Sequence, residues 1–158
     1  MRKIFGNIIV DQANKNDKIR LITADLGFGI LDKFRNEHHK KFYNVGAAEQ
    51  LMIGIGIGMA ESNLIPICYS ITPFLLYRPF EFLRNYVNYE KIPVKLVGAG
   101  RSKDYSHDGI SHWADDDESV LSSLSNIKIY KPKTEEELVD CFEEFLYNDK
   151  ACYLNLKR

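Results

Sequence analysis

The sequence predicts a doubly wound α/β fold: a mainly parallel six-stranded sheet with helices on both faces. Three observations lead there. Short apolar runs alternate with helical stripes from one end of the chain to the other. One of those runs, VKLV at 94–97, is almost wholly apolar, as a strand buried on both faces requires. The segments that follow the runs are rich in glycine and polar residues, as the loops at the carboxyl ends of such strands are.

Taken in order, Ile4, Phe5, Ile8, Ile9 and Ala13 form a helical stripe, and Ile19–Thr23 is the first strand. Residues 42–45 make a short second strand and 47–62 a helix. Residues 65–70 form the third strand, and 80–90 are helical. The fourth strand, 94–97, is entered from Pro93, and Ile127–Tyr130 is the fifth. In the last helix Thr134 and Glu137 have the spacing of a capping box, while Leu138, Phe142, Phe145 and Leu146 line one face. Ala151–Leu156 closes the sheet. No repeat, low-complexity tract or linker interrupts the pattern, so residues 1–158 are read as a single domain.

Composition narrows the function. Lys and Arg number 21 against 22 Asp and Glu, so no strongly basic field favours nucleic acid or a membrane surface. Cys68, Cys141 and Cys152 are far apart and lack metal-ligand spacing, and an odd count suits a reducing compartment. The amino-terminal stretch meets Asp11 too soon for the apolar region of a secretory signal. The weakly polar stretch 51–60 is too short to span a bilayer. The expectation is a soluble cytoplasmic protein.

Four segments leave the carboxyl ends of the predicted strands: 25–30, 46–50, 70–78 and 98–113. In NVGAAEQ (44–50), Gly46 permits a tight turn and Glu49 falls in the first turn of the next helix. The residues alone admit two readings: a carboxylate stabilised by the helix macrodipole, or a functional acid. Gly54, Gly56 and Gly58 weaken that helix by about 1 kcal/mol each, which implies close packing of its backbone. Phe74, Tyr77 and Phe80, with Arg78 among them, are either a core stripe or an aromatic wall. Pro79 starts or kinks the helix that follows. The loop GAGRSKDYSHDGISHW (98–113) is either a solvated turn or a site. Asp115, Asp116 and Asp117 are expected to favour the start of a short helix, not to bind metal.

These segments resemble the pyrimidine-binding domain of the transketolase family of thiamin-diphosphate enzymes. ADLGFG (24–29), FYNVGAAEQLMIGIGIGMA (42–60), the FxxxRxxExxRN pattern (74–85) and DGISH (108–112) occur in the family's order and cover nearly the whole chain. The resemblance implies that Glu49 hydrogen-bonds N1′ of the cofactor's aminopyrimidine and activates it. It implies that Phe74, Tyr77 and Phe80 hold the pyrimidine ring, where stacking adds to area burial. Asp25 falls beside the cofactor and a subunit interface. Asp108 and His112 fall beside substrate hydroxyls, and an imidazole such as His112 is suited to moving protons near neutrality. Arg158 falls near an arginine that grips substrate phosphate. His107, Tyr77 and Pro79 depart from the family's pattern, as do the positions near Gly29 and Gly100, where a serine and a histidine that contact phosphate are replaced.

The resemblance also implies a partner. Enzymes of this kind hold the diphosphate through Mg²⁺ in another domain, marked by GDG and a later Asn, and this chain carries no such motif. The expectation is therefore a stand-alone split subunit without a diphosphate-binding or carboxy-terminal transketolase domain. It would join a GDG…Asn subunit that holds Mg²⁺, in a heterotetramer with homodimer contacts. The expected activity is transfer of a two-carbon ketol unit between small sugars or sugar phosphates. The alternatives are a split 2-oxo acid decarboxylase and a non-catalytic subunit that keeps the fold. A dinucleotide-binding module fits less well, because GIGIG (54–58) lies inside a helix and GAGRSK (98–103) lacks the third glycine.

Overall fold

The computed structural model describes residues 1–158. Six strands, β1 (Ile19–Thr23), β2 (Phe42–Asn44), β3 (Ile65–Ile71), β4 (Lys95–Ala99), β5 (Ile127–Tyr130) and β6 (Ala151–Leu156), form one sheet in the order β2-β1-β3-β4-β6-β5. Every pairing is parallel. The order reverses between β1 and β3, because the chain leaves β1 toward β2 and returns on the other side. That reversal opens a crevice at the strands' carboxyl ends.

Helices cover both faces. α1 (Arg2–Lys15) and α7 (Glu135–Tyr147) bury Phe5, Ile9, Phe142 and Phe145 against Leu21, Ile67, Tyr69 and Val97. On the other face, α3 (Glu49–Glu61) and the segment 72–89 bury Met52, Ile53, Leu75, Leu83 and Val87 against Ile22, Cys68, Leu96 and Tyr153. Successive residues of β3 enter opposite cores, so the strand has no polar face and reads as a continuous apolar run.

The predicted strands are all present, with shifted edges. The fourth begins at Lys95 and runs to Ala99, because its ladder to β6 continues to Ala99 opposite Leu156. Lys95 is buried within it, and its ammonium donates to the carbonyls of Asn148 and Lys150, each at 2.6 Å. Of the capping box expected at α7, the Thr134 half is present, and the Glu137 half reaches one residue past the cap. Thr134 Oγ1 accepts from the Glu137 backbone N–H at 3.2 Å, while the Glu137 carboxylate reaches back to Lys133 N at 2.6 Å.

Two short helices go beyond the sequence reading: α2 (Asp32–Glu37) and α4 (Thr72–Tyr77). Pro79 then separates α4 from α5 (Phe80–Phe82), which runs on as a π-helical segment, Leu83–Tyr89, in place of the plain helix expected over 80–90. α6 (Asp117–Leu121) starts at the aspartate run, as anticipated.

Candidate functional site

The start of α3, the end of β3 and the α4 residue Phe74 meet near the carboxyl ends of β1 and β3. Gly46 adopts φ 72°, a left-handed conformation that a side chain disfavours. The turn is held by Asn44, whose Oδ1 accepts from Gly46 N at 3.1 Å and from Asp25 N at 2.9 Å. Asp25 itself is exposed at φ 55°, and its carboxylate accepts from Asn44 Nδ2 at 3.3 Å. Ties between the ends of β1 and β2 therefore fix where α3 begins.

The first residue of α3 is Glu49, only 2% exposed. Its Oε2 accepts from Arg78 Nη1 at 2.7 Å, and its Oε1 faces the Ser70 hydroxyl at 3.4 Å. A carboxylate this buried is costly without a counter-charge, and Arg78 supplies one. The guanidinium of Arg78 stacks in turn on Phe74, with its carbon 3.7 Å from the ring centroid. Phe74 meets the His112 ring edge-on at 4.8 Å, and His112 Nδ1 lies 2.9 Å from Ser111 Oγ. Glu49, Ser70, Arg78, Phe74 and His112 thus form one connected wall.

Tyr105 extends the wall, its ring 6.1 Å from that of His112. A Cβ at Gly100, which has φ 91°, would stand 2.4 Å from Tyr105, so only glycine fits there. Arg2 Nη1 donates to the Tyr105 hydroxyl at 2.8 Å, and the Arg158 guanidinium lies 5.1 Å from the same ring. Arg158 is anchored by Asp104, which accepts from its backbone N at 2.8 Å and from its Nη1 through the carbonyl at 3.3 Å. Two cations therefore flank one end of the site. Arg2 is absent from the sequence reading, because a helix-start arginine looks solvated until Tyr105 is brought beside it. Ser70 is absent for a different reason: a lone serine in an apolar strand reads as packing until α3 brings Glu49 over it.

The other predicted residues have partners of their own. Tyr77 is partly exposed and donates its hydroxyl to the Asp116 carboxylate, and burial together with that bond pushes the phenol well above its ordinary pKa. Phe80 packs at the edge of the second core with Met52 and Leu83. Asp108 is exposed, with its carboxylate 3.4 Å from His107 Nε2. The three consecutive aspartates diverge: Asp115 toward Lys103, Asp116 toward Tyr77, and Asp117 into the interior.

A cofactor carrying an aminopyrimidine fits these residues. Glu49 Oε1 has acceptor capacity to spare, since its one partner sits at the limit of hydrogen bonding. The half-exposed Arg78 balances the charge, and the Phe74 ring stands beside it. No group of three or more His, Cys, Asp or Glu is placed to hold a metal ion. No helix is long and apolar enough to cross a membrane.

Comparison with known proteins agrees with this geometry. The family described as transketolase, pyrimidine binding domain, matches residues 1–158. A putative transketolase C-terminal section from Methanocaldococcus jannaschii is 32% identical over 133 residues, covering 84% of this chain and 42% of the relative. The 6-deoxy-6-sulfo-D-fructose transketolase subunit SqwH from Clostridium sp. is 27% identical over 159 residues, covering 100% of this chain and 49% of that subunit. Among solved structures, a split gene transketolase described as an inactive β4 tetramer superposes with a TM-score of 0.87 at 25% identity, over 99% of this chain and 50% of that one. Transketolase from Leishmania mexicana shares the fold, with a TM-score of 0.87 at 18% identity over 99% of this chain and 25% of that one. The chain spans about half the length of the curated relatives named here, or less.

Proposed function

The chain belongs to the transketolase pyrimidine-binding family, and from that premise we propose that it is the pyrimidine-binding part of a thiamin-diphosphate-dependent, transketolase-type transferase that moves a two-carbon ketol unit between sugar-type substrates. The observation that carries this reading is Glu49: a carboxylate buried at the sheet's switch point, with acceptor capacity to spare on Oε1 and paired to an arginine that stacks on Phe74.

When bound, thiamin diphosphate supplies the carbanion chemistry. This chain presents and orients. Glu49 offers its carboxyl to a ring nitrogen and holds a proton there. Arg78 balances the Glu49 charge, and its long side chain is exposed enough to yield when a ring enters. Phe74 forms the aromatic wall, while Tyr77 and Phe80, which follow it in the chain, hold it from the Asp116 side and from the core. His112 takes and returns a proton on a substrate oxygen, a role supported by its contacts with Ser111 and Phe74, which fix its ring. Asp108 receives substrate hydroxyls. Arg2 and Arg158 form a cationic end that suits a substrate with a terminal anionic group.

The other half of the site comes from a second subunit carrying GDG…Asn, which holds Mg²⁺ and the diphosphate. Support comes from α3. Its inner face buries Glu49, Met52, Ile53 and Gly56, yet its outer positions are also apolar: Leu51 is exposed, and Ile55, Ile57 and Met59 are only partly covered. A helix apolar all round is one that is covered all round. Asp25 lies on the rim of the same crevice.

The test is to isolate the tagged chain with any stoichiometric partner from its native lysate and assay the complex. A GDG…Asn partner, and ketol transfer dependent on thiamin diphosphate, is the expected result. Release of CO₂ from a 2-oxo acid would reassign the chemistry to decarboxylation, and a complex inert toward both would overturn the catalytic reading.

A further inference from the structure

α4, which carries Phe74 and Tyr77 and ends at Arg78, is only six residues long. A helix of that length has no stability of its own in water, so its position must be imposed from outside. The imposing structure is a buried polar network at the carboxyl ends of β4 and β6. Thr72, fully buried at the start of α4, donates through Oγ1 to the Gly100 carbonyl at 2.7 Å. The same oxygen lies 3.2 Å from Asn155 Nδ2 on β6. Asn155 also donates to the Tyr153 hydroxyl oxygen at 2.8 Å and lies 3.2 Å from Asp117 Oδ2, while its Oδ1 accepts from Arg101 Nε at 2.7 Å.

The far end of this network is Asp117, 2% exposed at the start of α6. Its Oδ2 accepts from the Tyr153 hydroxyl at 2.9 Å and faces Asn155 Nδ2, and its Oδ1 accepts from Lys131 Nζ at 3.0 Å and Glu118 N at 2.8 Å. All of these partners donate here, and Asn155 Nδ2, Lys131 and Glu118 N can only donate, so a carboxylate suits the position; an isosteric amide would turn its N–H groups toward at least one of those three. The network also fills its space. A Cβ at Gly98 would stand 2.6 Å from Thr72 Oγ1 and 3.0 Å from the Tyr153 ring. At the other end of α4, the Tyr77 hydroxyl donates to Asp116. Adjacent aspartates at the start of α6 thus reach both ends of α4, one through Asn155 and Thr72 and the other directly.

We propose that Asp117 is a positioning residue: through Asn155 and Thr72 it sets where α4 lies on the sheet, and hence where Phe74 and Arg78 stand relative to His112 and Glu49. The inference concerns the site assigned above, but its readout needs no cofactor. Phe74 meets His112 edge-on at 4.8 Å, so the ring-current shift of the His112 carbon-bound protons reports the place of α4. His38 and His39, on the far side of β1, serve as controls in the same spectrum.

The experiment is heteronuclear NMR on the purified full chain, with a thermal melt of each variant. Asp117→Asn and Thr72→Val are expected to abolish the ring-current shift of His112 and leave His38 and His39 unmoved. Thr72→Ser, which keeps both hydroxyl bonds, is expected to preserve the wild-type His112 position. The Thr72 pair decides the question if Asp117→Asn does not fold. Lowered melting temperatures with His112 unmoved would overturn the proposal and leave the network a purely structural role. A His112 shift in a chain that never supports thiamin-diphosphate binding with its partner would keep this inference and overturn the functional one.

Discussion

α3 and α7 are both 13 residues long, lie on opposite faces of one sheet, and treat their outward sides in opposite ways. α7 has a side-chain cap and three glutamates in its first turn, buries Leu138, Phe142, Phe145 and Leu146, and turns Asp140, Glu143 and Glu144 to water. α3 has no side-chain cap, begins with a buried glutamate, and leaves Leu51 in the open. The first helix is finished by solvent. The second keeps apolar side chains on its outer side, as a helix covered by a partner would, and the residue it buries first is the one proposed to act on the cofactor.

Substitutions can sharpen that contrast. The largest effect on stability is expected from Gly56→Ala on the inner side of α3. Its Cβ would meet Cys68 Sγ at 2.8 Å, and overpacking of that kind costs about 1–3 kcal/mol, read from denaturant unfolding. Next is a matched pair: Leu51 and Val139 are each 54% exposed, one on α3 and one on α7. Leu51→Lys is expected to weaken assembly with the partner about tenfold or more, roughly 1.4 kcal/mol, in sedimentation experiments. Val139→Lys is expected to leave assembly unchanged, and equal effects would erase the distinction between the helices. Thr134→Ala removes the α7 cap and should cost about 1 kcal/mol of stability.

Smaller effects separate folding from assembly. A Cβ at Gly58 meets nothing within 4 Å, so Gly58→Ala should stabilise the isolated chain by up to ~1 kcal/mol while hindering a close partner. The smallest effect concerns pH. Burial holds the Lys95 ammonium below the ordinary lysine pKa, so across the window between its lowered folded value and the ordinary one the unfolded chain binds more protons. Stability therefore gains slightly as pH rises through that window. Lys95→Met should remove this gain, seen as a flatter melting-temperature profile on the alkaline side.

Much of the fold was legible because apolar runs and helical stripes are local signals. All six strands follow from them, and the Thr134–Glu137 spacing marks α7 outright. The short helices were not legible, since α2 and α4 are too brief to show a period. Glu49, Phe74 and His112 were reached through motifs in register, and the structure brings them onto one wall. Arg78 stands in the sequence as a charge among aromatic residues and as the arginine of the FxxxRxxExxRN pattern, but its pairing with Glu49 joins residues 29 apart. Arg2 and Tyr105 are separated by 103, and Asp117 and Asn155 by 38. Such pairs leave no periodic trace, because the sheet order, not chain proximity, brings them together.

Glu49 is the residue on which the proposed chemistry depends. The most direct measurement is ketol transfer by the chain assembled with its partner at saturating thiamin diphosphate and Mg²⁺, comparing wild type with Glu49→Gln. The prediction is a loss of at least about 10²-fold in kcat, the scale on which positioned proton transfer contributes, with subunit stoichiometry unchanged. A Glu49→Gln enzyme that turns over at the wild-type rate would contradict the assignment of the site.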